Sequence, residues 1–209
     1  MDNAAIPYLV IFLALVIAGA LIGTIFGVIM NIIGLAGFIF TAFFFRDPKR
    51  KIPGDEHAIV SPADGKIILI DAINDPEIGD AQRISIFMSP LDVHVNRCPT
   101  DGTVIEIARS AGKFKRAFLD EASLENERVE MLLDTPHGKV RVRQIAGIIA
   151  RRIVCRAKIE DKLEKGQKYG IIHFGSRVEL ILPKNAEIVA QRGQRALGGE
   201  TILARWLDK

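Results

Sequence analysis

Tyr169-Gly-Ile-Ile-His-Phe-Gly-Ser-Arg-Val-Glu-Leu-Ile-Leu-Pro183 is the stretch that decides the fold. Read with period two, Ile172, Phe174, Val178, Leu180 and Leu182 line one apolar face, the pattern of a strand lying on a core. Ser176 is the only polar member of that row. Gly175, just before it, removes a side chain from the strand interior, where glycine marks a bulge or a close backbone approach. Two readings stand: Ser176 is a buried serine bonded to a neighbouring carbonyl, or its hydroxyl attacks the carbonyl that precedes it.

Outward from this stretch, short β-type runs recur at Ala58 to Val60, Lys66 to Ala72, Arg83 to Met88, Val104 to Ala108, Val129 to Leu133, Lys139 to Ile145, Ile153 to Ala157 and Glu187 to Val189. Turn signals separate them, among them Ala63-Asp64-Gly65, Thr100-Asp101-Gly102 and Pro136-His137-Gly138. The spacing predicts a mainly β domain, a barrel or sandwich, with helix confined to Leu119 to Asn126 and Lys158 to Lys165.

The amino terminus is of another kind. No charged residue occurs between Ile6 and Phe45, and a single helix of that length would reach about 60 Å against a hydrocarbon core of about 30 Å. A transmembrane helical hairpin over residues 1–45 fits, broken near Gly23-Thr24 or Asn31, with glycines allowing close helix contact. A signal peptide does not fit, because no basic residue precedes the apolar run and the run is too long. Arg46, Lys49, Arg50 and Lys51 follow at once, which places the exit and the domain beyond it on the cytoplasmic face. Residues 46–56, with two prolines, a glycine and seven charges, read as a basic linker, and 57–209 as the β-rich domain. The net charge of +3 suits a domain against anionic headgroups, and with only 7% aromatic residues there is no stacking-rich groove for nucleic acid. Cys98 and Cys155 lack CxxC spacing, and His57, His94, His137 and His173 are scattered, so neither a disulfide framework nor a metal site is expected.

Three polar groups stand out for chemistry. Asp92, His94 and Asn96 alternate in a proline-bounded segment, which puts a carboxylate, an imidazole and an amide on one face. That is either a proton-transfer surface or a solvated edge strand. Asp64 before Gly65 is first of all good turn chemistry, yet it completes an acid, imidazole and hydroxyl set with His94 and Ser176, a set defined by geometry and not by order. Phe114, Lys115 and Arg116 lie in a run that mixes aromatics and cations, as a lipid-facing loop or a solvated one would. Arg151 and Arg152 suit bidentate contact with a phosphate, or a basic surface strand.

Ser-Pro-Ala-Asp-Gly at 61–65, Phe-Met-Ser-Pro-Leu-Asp-Val-His-Val-Asn-Arg at 87–97, Glu-Asn-Glu-Arg at 125–128, Gln-Ile-Ala-Gly at 144–147 with Ala-Arg-Arg-Ile at 150–153, and Phe-Gly-Ser-Arg at 174–177 resemble the phosphatidylserine decarboxylase family. Within it they resemble the short branch that includes archaetidylserine decarboxylases. The likeness runs from about Phe44 to the end and takes in Phe45-Arg-Asp-Pro48. It implies a proenzyme cleaved between Gly175 and Ser176 into chains 1–175 and 176–209, with a covalent pyruvoyl group made from Ser176. That group would form a Schiff base with the amine of a serine phospholipid, phosphatidylserine or archaetidylserine, and accept electrons as carbon dioxide leaves, giving the ethanolamine lipid. Asp64 and a histidine would assist cleavage, and His94 would serve proton transfer.

The chain departs from the longer branch, which has a second histidine where Arg97 stands and Leu-Gly-Ser-Thr in place of Phe-Gly-Ser-Arg. His94 then does both jobs or His173 substitutes, and period two favours His94 by turning His173 away from Ser176. Two other classes remain: a biotinyl- or lipoyl-type carrier modified on Lys66, and a tethered scaffold without chemistry. The sequence leaves open a homo-oligomer.

Overall fold

The computed structural model describes residues 1–112, 126–147, 153–173 and 176–207, and the chain divides into two compact units, Met1–Lys49 and Arg50–Lys209. The first unit is the expected hairpin. Helix α1 (Ile6–Ile22) ends at Gly23 with φ of 63°, and Thr24 is extended before α2 (Ile25–Phe44) begins, so the break falls at the first of the two expected places. A Cβ on Gly27 would lie 2.3 Å from the Gly19 carbonyl oxygen, so these glycines let the two backbones touch. The segments Asn3–Ile22 and Ile25–Phe44 have mean hydropathies of 2.7 and 2.2 and are long and apolar enough to cross a membrane.

The second unit is mainly β. Its strands are β1 (Ala58–Val60), β2 (Gly65–Asp75), β3 (Gly79–Met88), β4 (Val95–Arg97), β5 (Gly102–Ser110), β6 (Arg128–Thr135), β7 (Gly138–Ala146), β8 (Ile153–Cys155), β9 (Lys162–Leu163), β10 (Lys168–Ile172), β11 (Ser176–Pro183), β12 (Ala186–Ile188), β13 (Arg195–Ala196) and β14 (Ile202–Trp206). An eight-stranded antiparallel sheet, ordered β13-β2-β3-β11-β7-β6-β5-β9, curls into a half-barrel, with two three-stranded sheets, β1-β14-β12 and β4-β10-β8. The core lies inside the curl, where Ile67, Ile86, Val142, Val178 and Leu180 join Ile172 and Trp206 from the smaller sheets.

Strand β11 sits between β3 and β7 in this sheet, and both of its faces are buried. Val178, Leu180 and Leu182 enter the core, as the alternation requires. The other face carries Arg177 and Glu179, both fully buried. Glu179 accepts from Arg177 at 2.9 Å and from Arg143 at 3.0 Å, with Arg83 at 3.4 Å. Arg83 and Arg143 reach on to Asp71 and Glu130, so an ion-pair network runs from β2 through β3, β11 and β7 to β6.

Several expectations are corrected. The run from Tyr169 to Pro183 is two strands in different sheets, because β10 pairs with β4 and β8 while β11 pairs with β3 and β7. Period two therefore does not carry across from Ile172 to Ser176, and alternation does not turn His173 away from the serine. Lys158 to Lys165 is not a helix: Glu160 has φ of 75°, Asp161 accepts from the Lys158 N–H, and β9 joins the edge of the sheet beside β5. Of the other expected helix, only Asn126 lies within the described residues. Residues 46–56 carry no helix or strand, yet Arg50 among them turns inward.

Candidate active site

Ser176 opens β11 opposite Met88 of β3 and Ala146 of β7, and it is completely buried. Its hydroxyl donates to the Met88 sulfur at 3.3 Å, and among the described residues it meets no carbonyl. A thioether is a weak acceptor, so the hydroxyl is located without being tightly bound. Asn96 Nδ2 approaches the same sulfur at 3.8 Å, while Gln144 Nε2 donates to Asn96 Oδ1 at 2.8 Å. A buried polar chain thus runs from β7 through β4 to the serine.

His94, two residues before Asn96, is fully buried, and its main-chain oxygen accepts from Ile172 N–H at 3.4 Å, just ahead of the crossing into β11. Its Nδ1 lies 2.9 Å from the main-chain oxygen of Asp92. A ring nitrogen facing a carbonyl carries the proton, so Nε2 is the basic nitrogen of the neutral ring. The expected common face breaks at Asp92. That residue closes a turn, with Ser89 N–H donating to its carboxylate at 2.8 Å and Arg195 pairing with it from β13. Asp92, His94 and Asn96 are all buried, which sets aside the solvated edge.

Asp64 lies in the turn from β1 into β2. Because Lys66 pairs with Phe87, that turn stands at the same end of the sheet as Met88 and Ser176. Among the described residues its carboxylate does not bond to His94. Arg50 Nη2 reaches both of its oxygens, at 2.9 and 2.8 Å, and Gly198 N–H donates to Oδ1 at 2.7 Å. A Cβ on Gly198 would stand 3.2 Å from that oxygen, a tight contact that glycine avoids. Burial pushes the Asp64 carboxyl above its ordinary range; Gly198 and Arg50 pull it back, and the nearby Asp92 adds to the rise.

Asp64 and Ser176 stand at one end of the curled sheet, and His94 leads into β4, whose Asn96 reaches the Met88 sulfur at that end. Arg97 extends its guanidinium to the Gly166 carbonyl at 3.1 Å. His173 is buried at the end of β10. Lys66 is exposed within β2, flanked by Phe87 and Arg195, and does not occupy the tip of a hairpin. Gly175, Phe114, Lys115, Arg116, Arg151 and Arg152 lie outside the described residues. The sequence reading missed Arg50, Met88, Gln144, Arg195 and Gly198. Arg50 looks like its basic neighbours; Met88 and Gln144 stand inside the motifs at 87–97 and 144–147 without being singled out there; Arg195 and Gly198 carry no local signal, because their contacts form only between distant parts of the chain.

Residues 38–204 match the sequence profile of phosphatidylserine decarboxylase. The phosphatidylserine decarboxylase proenzyme of Chlorobium phaeobacteroides is 46% identical over 172 residues, 82% of this chain and 81% of that one. That of Citrifermentans bemidjiense is 46% identical over 167 residues, 79% of this chain and 76% of that one. With the buried serine and its neighbours in place, these matches define an enzyme of the carboxy-lyase class. The chain belongs to the phosphatidylserine decarboxylase family, and the carrier reading built on Lys66 falls with that assignment.

Proposed function

We propose that the protein is a proenzyme that cuts itself between Gly175 and Ser176 and then decarboxylates a serine phospholipid at the pyruvoyl group formed there. The observation that carries this reading is Ser176 itself, buried at the head of a strand enclosed on both sides with its hydroxyl resting on a thioether. In the first step the Ser176 oxygen bonds to the Gly175 carbonyl carbon, the carbon–nitrogen bond breaks, and the hydroxyl proton ends on the freed amine. A base then removes the proton from Cα of residue 176, and the Gly175 carboxylate leaves. The resulting enamine tautomerises, and water releases ammonia to give the terminal ketone. His94 Nε2 is the base we assign, with Asp64 assisting cleavage.

The surroundings fit a ketone at position 176, because the Asn96 amide, held by Gln144, is a donor within reach of the same sulfur as the serine. When formed, the pyruvoyl group supplies a carbonyl that condenses with the headgroup amine and takes up the electron pair as carbon dioxide departs. His94 then holds the proton that replaces the carboxyl group. The substrate is phosphatidylserine, the lipid named for both relatives; archaetidylserine presents the same reacting headgroup. The hairpin spans the membrane, and the basic residues Arg46, Lys49 and Lys51 that follow it in sequence assign the β domain to the cytoplasmic side.

Intact-mass measurement of the purified protein beside Ser176→Ala tests this. Two chains, the smaller starting with pyruvoyl in place of serine, are expected from the wild type, and one chain from the variant. Serine-lipid vesicles should lose carbon dioxide only with the wild type. A folded wild-type protein that stays whole, or a Ser176→Ala protein that turns over lipid normally, ends the proposal.

A further inference from the structure

Arg50 belongs to the basic cluster that opens at Arg46, and it follows directly on Lys49, the last residue of the helical unit. Its basic neighbours behave as a membrane exit would. Arg46 bonds to the Phe43 carbonyl and lies over the Phe43 ring, and Lys51 is exposed. Arg50 does the opposite: its side chain is 6% exposed and grips the carboxylate of Asp64, itself 9% exposed, with one nitrogen. The arrangement is a poor way to gain stability. Two charges leave water, and the Arg50 Nε–H is buried without an acceptor among the described residues.

We propose that Arg50 is a positioning residue of the reaction, which grips both oxygens of the Asp64 carboxylate and sets a full positive charge against it for its part in self-cleavage. This rests on the role assigned to Asp64 above. Among the described residues, the groups facing Asp64 are Arg50, the Gly198 N–H and Asp92, and Arg195 stands behind Asp92. Of these only Arg50 brings a full positive charge to the carboxylate itself. Take it away and a buried acid remains beside Asp92, in surroundings that favour the protonated form. A protonated carboxyl has lost the charge with which it assists cleavage, and with one contact to Gly198 it is free to turn. The same contact makes the chain just beyond the helical unit a structural element of the reacting end of the sheet.

The test uses the full chain and follows self-cleavage on gels after synthesis, from mildly acidic to mildly alkaline pH. Arg50→Gln should slow cleavage about tenfold at neutral pH and move the acid limb of the profile up by about one pH unit, with recovery on the alkaline side. Arg50→Lys, which keeps the charge and loses the fork, should fall between the two. Asp64→Asn should be slow at every pH, and Arg50→Gln with Asp64→Asn should be no slower than Asp64→Asn alone. If Arg50→Gln fails to fold, Arg50→Lys and the double variant decide. An unmoved acid limb with a slow Asp64→Asn overturns this inference alone, as does a double variant slower than Asp64→Asn. An Asp64→Asn protein that cleaves normally overturns both the inference and the assignment of Asp64.

Discussion

Glu179→Gln is the substitution whose effect the structure fixes most fully. Placed in the Ser176→Ala background, it is read on a chain that stays whole. Glu179 is completely buried and accepts from Arg177 and Arg143, with Arg83 and the Ser85 hydroxyl at 3.4 and 3.3 Å. The amide removes the negative charge on which three guanidinium groups converge. Breaking a buried ion pair from one side costs about 3–5 kcal/mol. Arg83 keeps Asp71 and Arg143 keeps Glu130, so the loss belongs at the low end, about 3 kcal/mol. For a domain of this size that corresponds to a fall in Tm of about 6–12 °C. Thermal unfolding followed by circular dichroism in detergent measures it. A Tm within about 2 °C of the parent would refute the reasoning, since it would mean that the network contributes no net stability. Replacing Arg177 and Glu179 together by methionine should recover much of the loss, because an apolar pair needs no compensating charge.

Other outcomes follow from the same geometry. Met88→Leu keeps the core volume at a cost below about 1.5 kcal/mol and releases the Ser176 hydroxyl from sulfur; gel time courses should then show faster self-cleavage, and a slower course would mean that the sulfur holds the nucleophile in its productive place. Burial pushes the Cys98 thiol up to about 12, whereas Cys155 is only partly buried. Iodoacetamide at mildly alkaline pH should therefore label Cys155 and spare Cys98 until the protein is denatured, as peptide mass spectrometry would report. For Asp75 and Glu130, burial opposes ionisation but is outweighed, by the bond from Arg141 at Asp75 and by the charge of Arg143 at Glu130, so both carboxyls sit below their ordinary range. Their folded state binds protons less readily than the unfolded chain, so the stability they add is complete above the ordinary carboxylate range and fades as pH falls through the depressed values. Acid unfolding monitored by fluorescence should be less steep in Asp75→Asn than in the parent.

What could be read from the sequence was local. The hairpin follows from an uncharged run too long for one span, with Gly23-Thr24 and Asn31 as candidate breaks between which only the backbone decides, and most strand centres follow from alternation between turn residues. The division of residues 169–183 was hidden because apolar alternation continues through a change of sheet, which only pairing partners reveal. Strands β9 and β13, of two residues each, are too short to leave a period. Arginine and glutamate alternating with apolar residues in β7 and β11 look like a solvated face, and nothing local says that their charges meet across strands. The triad candidates Asp64, His94 and Ser176 were legible as odd residues in strands and turns. Their supports were not, since Gln144 reaches Asn96 and Gly198 reaches Asp64 across long stretches of chain.

The position of β11 between β3 and β7 gives a cut at its head an unusual meaning. The severed piece would begin with an interior stave of the half-barrel, lodged between neighbours that both belong to the other fragment. Pulled out, it would leave two unpaired strand edges facing each other across a slot, ready to stick to other chains. The two products are therefore expected to live and die together: mixing separately made fragments should yield aggregate, and an old small chain should never be exchanged for a new one.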